Sequence, residues 1–133
     1  MAESYKGYSL DSSGYATGGI ANTLRATLAY TDTTSKALFT IPAGAYIIQW
    51  VLNVTTNFDS DGTDQVNIGI TGTAAKFAST VDVSTTGLKT TGVVAAQIGA
   101  VQASAQPVLG IYAAGGSAAS QGAMTIMVQF YLP

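Results

Sequence analysis

Residues 46–55 read Tyr46-Ile47-Ile48-Gln49-Trp50-Val51-Leu52-Asn53-Val54-Thr55. The even positions Tyr46, Ile48, Trp50, Leu52 and Val54 are all apolar, while the odd positions Ile47, Gln49, Val51, Asn53 and Thr55 are mixed. A strand turns successive side chains to opposite faces, so this period of two predicts a long strand with its even face on a core. Trp50, the single tryptophan, stands near the middle of that face and reads as a core anchor, with ligand stacking as the alternative. The chain closes on the same pattern: Met124, Ile126, Val128, Phe130 and Leu132 share one face, and Thr125, Met127, Gln129 and Tyr131 the other. Burying two such faces is worth on the order of 1.5–3 kcal/mol per large side chain before chain entropy is subtracted.

Working outward, residues 24–31 and 36–41 read as strands joined by an Asp32-Thr33-Thr34-Ser35 turn. Pro42-Ala43-Gly44 then ends the second, since proline lacks a ladder donor and glycine permits a tight turn. Residues 57–64 form a turn carrying Asp59, Asp61 and Asp64. Val66, Ile68 and Ile70 alternate after it, which predicts a strand hairpinned to 46–55 through the acidic turn. Phe77, Val81 and Val83 are core candidates in an ambiguous segment, 75–83. Residues 84–92 read as loop, 93–101 as a weakly marked strand, 107–113 as a strand with an edge-like start, and 115–122 as loop. About seven to nine strands with turns between them predict an all-β fold, an antiparallel β-sandwich of jelly-roll type. The domain is expected over 24–133, after an extended N-terminal arm over 1–23. That arm carries Tyr5, Tyr8 and Tyr15 among Ser, Gly and Asp, and is either a poorly ordered terminus or a segment lying on a partner. Tyrosine, with a large apolar face and a hydroxyl, favours the partner.

Composition narrows the chemistry. Of 133 residues, 9% are charged, with 5 Lys+Arg against 7 Asp+Glu, and there is no His or Cys. A Ser-His-Asp triad, a cysteine nucleophile, a Cys/His zinc site and a disulfide are all excluded. Five scattered cations make no nucleic-acid footprint. The most apolar stretch, 45–54, is too short for a bilayer and is broken by Gln49 and Asn53, so no membrane partner is expected. The N-terminus lacks the apolar core of a signal peptide, which places the chain in the cytoplasm or within something larger that leaves it. An apolar fraction of 47% supports a real core. A polar but nearly uncharged surface offers little repulsion between copies and suits a protein packed against neighbours.

Candidate sites are few. Asp59, Asp61 and Asp64 are the one cluster of calcium-like ligands, but compared with an EF-hand loop the glycine comes early and Ile70 stands where the closing Glu is required. Asx-turn chemistry accounts for the same residues. No acid pair is placed for glycoside hydrolysis, Asn53-Val54-Thr55 lies within a strand, and Gly18-Gly19 and Gly115-Gly116 lack a phosphate-loop context. No enzyme activity, metal or cofactor is expected. More telling are Ile47, Val51, Met127 and Tyr131, apolar residues on the nominally polar faces of the two long strands, which predict cover by a strand, the arm or another subunit.

The segment Phe39-Thr40-Ile41-Pro42-Ala43-Gly44-Ala45, the strand after it, Thr55-Thr56-Asn57-Phe58-Asp59, and Val81-Asp82-Val83-Ser84-Thr85-Thr86-Gly87 together resemble small structural proteins of tailed bacteriophages. In that group an "IPAG" turn leads into a long strand and an "FD…G" turn. The resemblance spans about 36–133 and leaves the arm uncovered. It implies a jelly-roll sandwich without catalytic residues, made in the host cytoplasm and placed on the virion as a capsid decoration (cement) protein. The partners implied are the major capsid protein and other copies of the chain, as a trimer. The alternative is a tail- or fibre-associated module that binds a host receptor or glycan, with Trp50 or Tyr112 as stacking platforms.

Overall fold

The structure, a computed structural model, describes residues 3–5, 8–11, 14–18 and 20–133, with backbone alone for residues 3–5, 8 and 9. Ten strands follow in order: β1 (Glu3–Tyr5), β2 (Tyr8–Leu10), β3 (Ala21–Ala29), β4 (Lys36–Ile41), β5 (Tyr46–Thr56), β6 (Asp64–Ile70), β7 (Thr73–Asp82), β8 (Gly87–Lys89), β9 (Gln106–Ala114) and β10 (Ala123–Tyr131). β1 and β2 form a two-stranded sheet of their own. The other eight make two antiparallel sheets, ordered β3-β10-β5-β8 and β4-β9-β6-β7. From β3 onward the chain switches sheets at every connection except the β6–β7 hairpin, which is the connectivity of an eight-stranded jelly roll.

The core lies between the sheets. Met124, Ile126, Val128 and Phe130 of β10 are buried, and β5 contributes Trp50, Leu52 and Val54 beside them. Val66 and Ile68, Phe77 and Val81, and Val108 and Tyr112 close it from the other sheet. Phe39 stacks on Trp50 with ring centroids 6.0 Å apart, and Phe77 lies 5.1 Å away on the same indole. The Trp50 indole N–H is buried without a hydrogen-bond acceptor, so the residue is held by ring packing.

Four expectations are corrected. Strand β5 does not hold its alternation: Gln129 of β10 faces Gln49, but Phe130 faces Ile47, leaving Ile48 as an extra residue in a β-bulge. The bulge exchanges the faces of Tyr46 and Ile47, so Ile47 is fully buried and Tyr46 is exposed. Second, β5 and β6 belong to opposite sheets, and the acidic segment is a crossing between layers rather than a hairpin turn. Phe58 plugs into the core at that crossing and donates its backbone N–H to the Val83 carbonyl at 3.0 Å. Third, 93–101 is a clasp rather than a strand, with a 3-10 turn at Ala95–Gln97 between isolated bridges of Val93 to Ala78 and Val101 to Tyr46. Fourth, the 84–92 loop contains the short strand β8.

The N-terminal segment also has structure. β1 and β2 form a hairpin, Leu10 bridges to Ala16, and β3 begins at Ala21, ahead of the expected 24. The Asn22 side-chain amide clamps Ala16, accepting from its N–H and donating to its carbonyl at 2.8 Å each.

Candidate interaction surface

The outer face of the β3-β10-β5-β8 sheet carries a ladder of side chains fixed by strand register. Val51 sits directly across from Met127, with Arg25 on the far side of Met127. One row along, the Gln49 amide donates to the Gln129 amide oxygen at 2.5 Å. At the end of the sheet Tyr46 and Tyr131 stack with centroids 6.4 Å apart. Tyr46, Tyr131 and Val101 are exposed, and with Gly44, Leu132 and Pro133 they line an apolar hollow of about 370 Å3. Leu88, 70% exposed, stands beyond Asn53 on β8.

Of the interface residues expected from sequence, Val51, Met127 and Tyr131 therefore share one outer face, with Val51 and Met127 half-buried. Ile47 does not join them; the bulge turns it into the core. Tyr15 is half-buried against its own domain, edge-on to the Phe130 ring at 5.6 Å. The side chains of Tyr5 and Tyr8 lie outside the described residues. Trp50 and Tyr112 are both buried, so neither offers a platform for a sugar. Sequence reasoning missed Tyr46, Val101 and Leu88. Leu88 had a signal, as a lone large apolar residue in a Ser/Thr/Gly stretch.

The acidic crossing is built for folding. Asp59 accepts from the Ser120 hydroxyl at 2.6 Å and from the backbone N–H groups of Ser120 and Gln121 at 2.7 and 3.0 Å. These bonds, the Ser120 hydroxyl first, hold its carboxyl below the usual range. Asp64 is buried, accepting from the Tyr112 hydroxyl and from the Ser60 N–H at 3.2 Å. Burial, reinforced by that bond to Asp64, pushes the Tyr112 phenol up to about 12. Asp61 is exposed. The three carboxylates do not converge, and among the described residues no group of three or more acidic side chains could hold a metal. In the motif that follows, Asp82 accepts from the Ser84 hydroxyl at 2.6 Å and its N–H at 2.9 Å, closing the turn after buried Val81 and Val83.

The class defined by this architecture is the two-sheet jelly-roll sandwich, and two solved phage capsid structures contain chains that share it. A chain of the cyanophage Pam1 capsid asymmetric unit matches with a TM-score of 0.66 and 21% identity, covering 93% of each chain. A chain of the acid-stable capsid of Helicobacter pylori bacteriophage KHP30 matches with a TM-score of 0.60 and 18% identity, covering 86% of this chain and 90% of that one. No protein-family model matches the chain, and no curated protein does.

Proposed function

We propose that this chain is a non-enzymatic structural protein of a bacteriophage virion, which decorates the capsid by binding across major capsid protein subunits as a trimer. The observation that carries the reading is the likeness of nearly the whole chain to chains in two phage capsid structures. Three properties of the chain support it. The surface has few charges to repel neighbours. The outer face around Tyr46, Tyr131 and Val101 presents apolar groups in a row. The β1–β2 hairpin forms a two-stranded sheet of its own, apart from the two four-stranded sheets, and a lone hairpin is marginal in water without a surface to rest on.

The mechanism is mass action. A rigid sandwich that binds only where assembled subunits meet stabilises the assembled shell over its separated parts, by an amount set by its concentration relative to its Kd. The test is thermal rupture of capsids prepared with and without the protein. Capsids lacking it should release DNA at lower temperature, and adding the purified chain should restore the midpoint. A chain that fails to bind such capsids, or binds without moving the midpoint, contradicts the proposal.

A further inference from the structure

Open sheets must protect their edges, because unpaired N–H and C=O groups recruit other strands. Three of the four edges here are protected in ordinary ways. β8 is only three residues long. β4 pairs with β9 through an irregularity between Ala37 and Phe39. β7 is irregular, and 92–94 covers it, with Ser79 donating to Gly92 and Val94 donating to Phe77.

β3 is different. It runs nine residues against β10 with no register shift, at the edge of its sheet. The Ala29 N–H donates to the Asp32 carboxylate at 2.7 Å, so it points away from β10. In an unbroken antiparallel ladder the backbone groups of alternate residues share that direction, which makes 21, 23, 25 and 27 outward as well. The far half of this edge is stoppered. Asp32 also donates its own N–H to the Ala29 carbonyl at 2.9 Å, and the Lys36 ammonium donates to the Thr27 carbonyl at 2.9 Å. Lys36 and Asp32 steady each other across 3.4 Å. Among the described residues, no such plug reaches Ala21, Thr23 or Arg25.

We infer that the open half of the β3 edge, residues 21–25, pairs antiparallel with the same segment of a second copy about a two-fold axis through Thr23, joining two four-stranded sheets into one. The window is symmetric about Thr23, so Ala21 of each copy faces Arg25 of the other and Thr23 faces its mate. The two Arg25 side chains then stand roughly 14 Å apart at 3.4 Å per residue, beyond the physiological screening length. The partner's alternate side chains cover Leu24, which its own sheet leaves half-buried. The Asp32–Lys36 stopper ends the pairing at Arg25 and blocks the longer registers that would lead to open-ended association. This contact is separate from the virion reading, and a three-fold assembly would use it only between neighbouring assemblies.

The chain has no cysteine, which makes the test direct. In this register the Cα atoms of Thr23 and its mate lie about 5.5 Å apart, within disulfide range. Those of Thr27 and its mate lie roughly 27 Å apart. Under mild oxidation, full-length Thr23→Cys should form a covalent dimer about tenfold or more faster than Thr27→Cys, which shares its face of the strand. Thr23→Pro removes only an outward N–H, which an edge strand tolerates. In sedimentation at up to about 1 mM, a weak-binding range, the parent assembly should double in mass and Thr23→Pro should not. Equal oxidation rates at the two positions, no cross-linking at Thr23, or association undiminished by proline overturns the inference.

Discussion

Tyr112 and Asp64 show how a sequence almost free of charge still keeps a buried carboxylate. Asp64 closes the crossing between sheets by accepting from Ser60, and the Tyr112 hydroxyl completes its shell inside the core. Tyr112→Phe keeps the ring against Phe58 but leaves Asp64 short of a donor, and should destabilise the fold by about 1–3 kcal/mol in urea unfolding. The Tyr112 phenol is raised in the folded state, so its contribution is whole below the ordinary tyrosine pKa of about 10 and fades as pH rises toward about 12. Stability of the parent should therefore fall through that alkaline interval by more than that of Tyr112→Phe. Ile47 and Tyr46 give a second contrast at this scale. Ile47→Ala, opening a fully buried site, should cost about 2–5 kcal/mol. Tyr46→Ala, on the exposed outer face, should cost far less, near the ~0.5 kcal/mol of surface changes. The reverse order in denaturant midpoints would place the bulge elsewhere.

At the scale of elements, the alternation of residues 124–132 was fully legible, because every position obeys one period and β10 is a central strand paired on both sides. β5 was legible only from Trp50 onward. Tyr46, Ile47 and Ile48 are all apolar, so either phase satisfies the pattern and only the partner strand reveals the bulge at Ile48. The acidic segment misled for a related reason. Its Asp and Gly residues announce a turn, but turn residues do not say whether the chain returns to its own sheet or crosses to the other. Buried Phe58 decides that, and the Asp59 clip to Ser120 and Gln121 secures it. The clasp over 93–101 was hidden because its small residues serve another element: Gly99 donates to the Ile47 carbonyl at 2.7 Å and Ile47 to the Ala100 carbonyl at 3.3 Å, and just past the clasp Gly44 donates to the Gln102 carbonyl at 2.6 Å and Gln102 to the Ala45 carbonyl at 2.8 Å. The turn it grips has the Ala45 N–H on the Pro42 carbonyl and Gly44 at φ +84°, the left-handed position of a type II turn. Gly44→Ala meets no steric obstacle in space yet should lose about 1–2 kcal/mol to that backbone strain, measured as a lower unfolding midpoint.

For the molecule as a whole, the balance of residues foretold the architecture better than the surface. A chain rich in Thr, Val and Gly and poor in charge had few ways to fold except as short strands in two layers. Which apolar residues would be left outside depended on the bulge and on the long-range clasp, neither of which local periodicity encodes. The face that results sets Tyr46 beside Tyr131 and Val51 beside Met127, a surface suited to a protein that works against neighbours. On the proposed function, those neighbours are other shell subunits. The proposed function is tested most directly by the number of copies of this chain in purified particles of the phage it would belong to, by quantitative mass spectrometry against the major capsid protein. A shell-decorating protein should be present at a fixed ratio to that subunit, on the order of hundreds of copies per particle. A handful of copies, or none after purification, would contradict it.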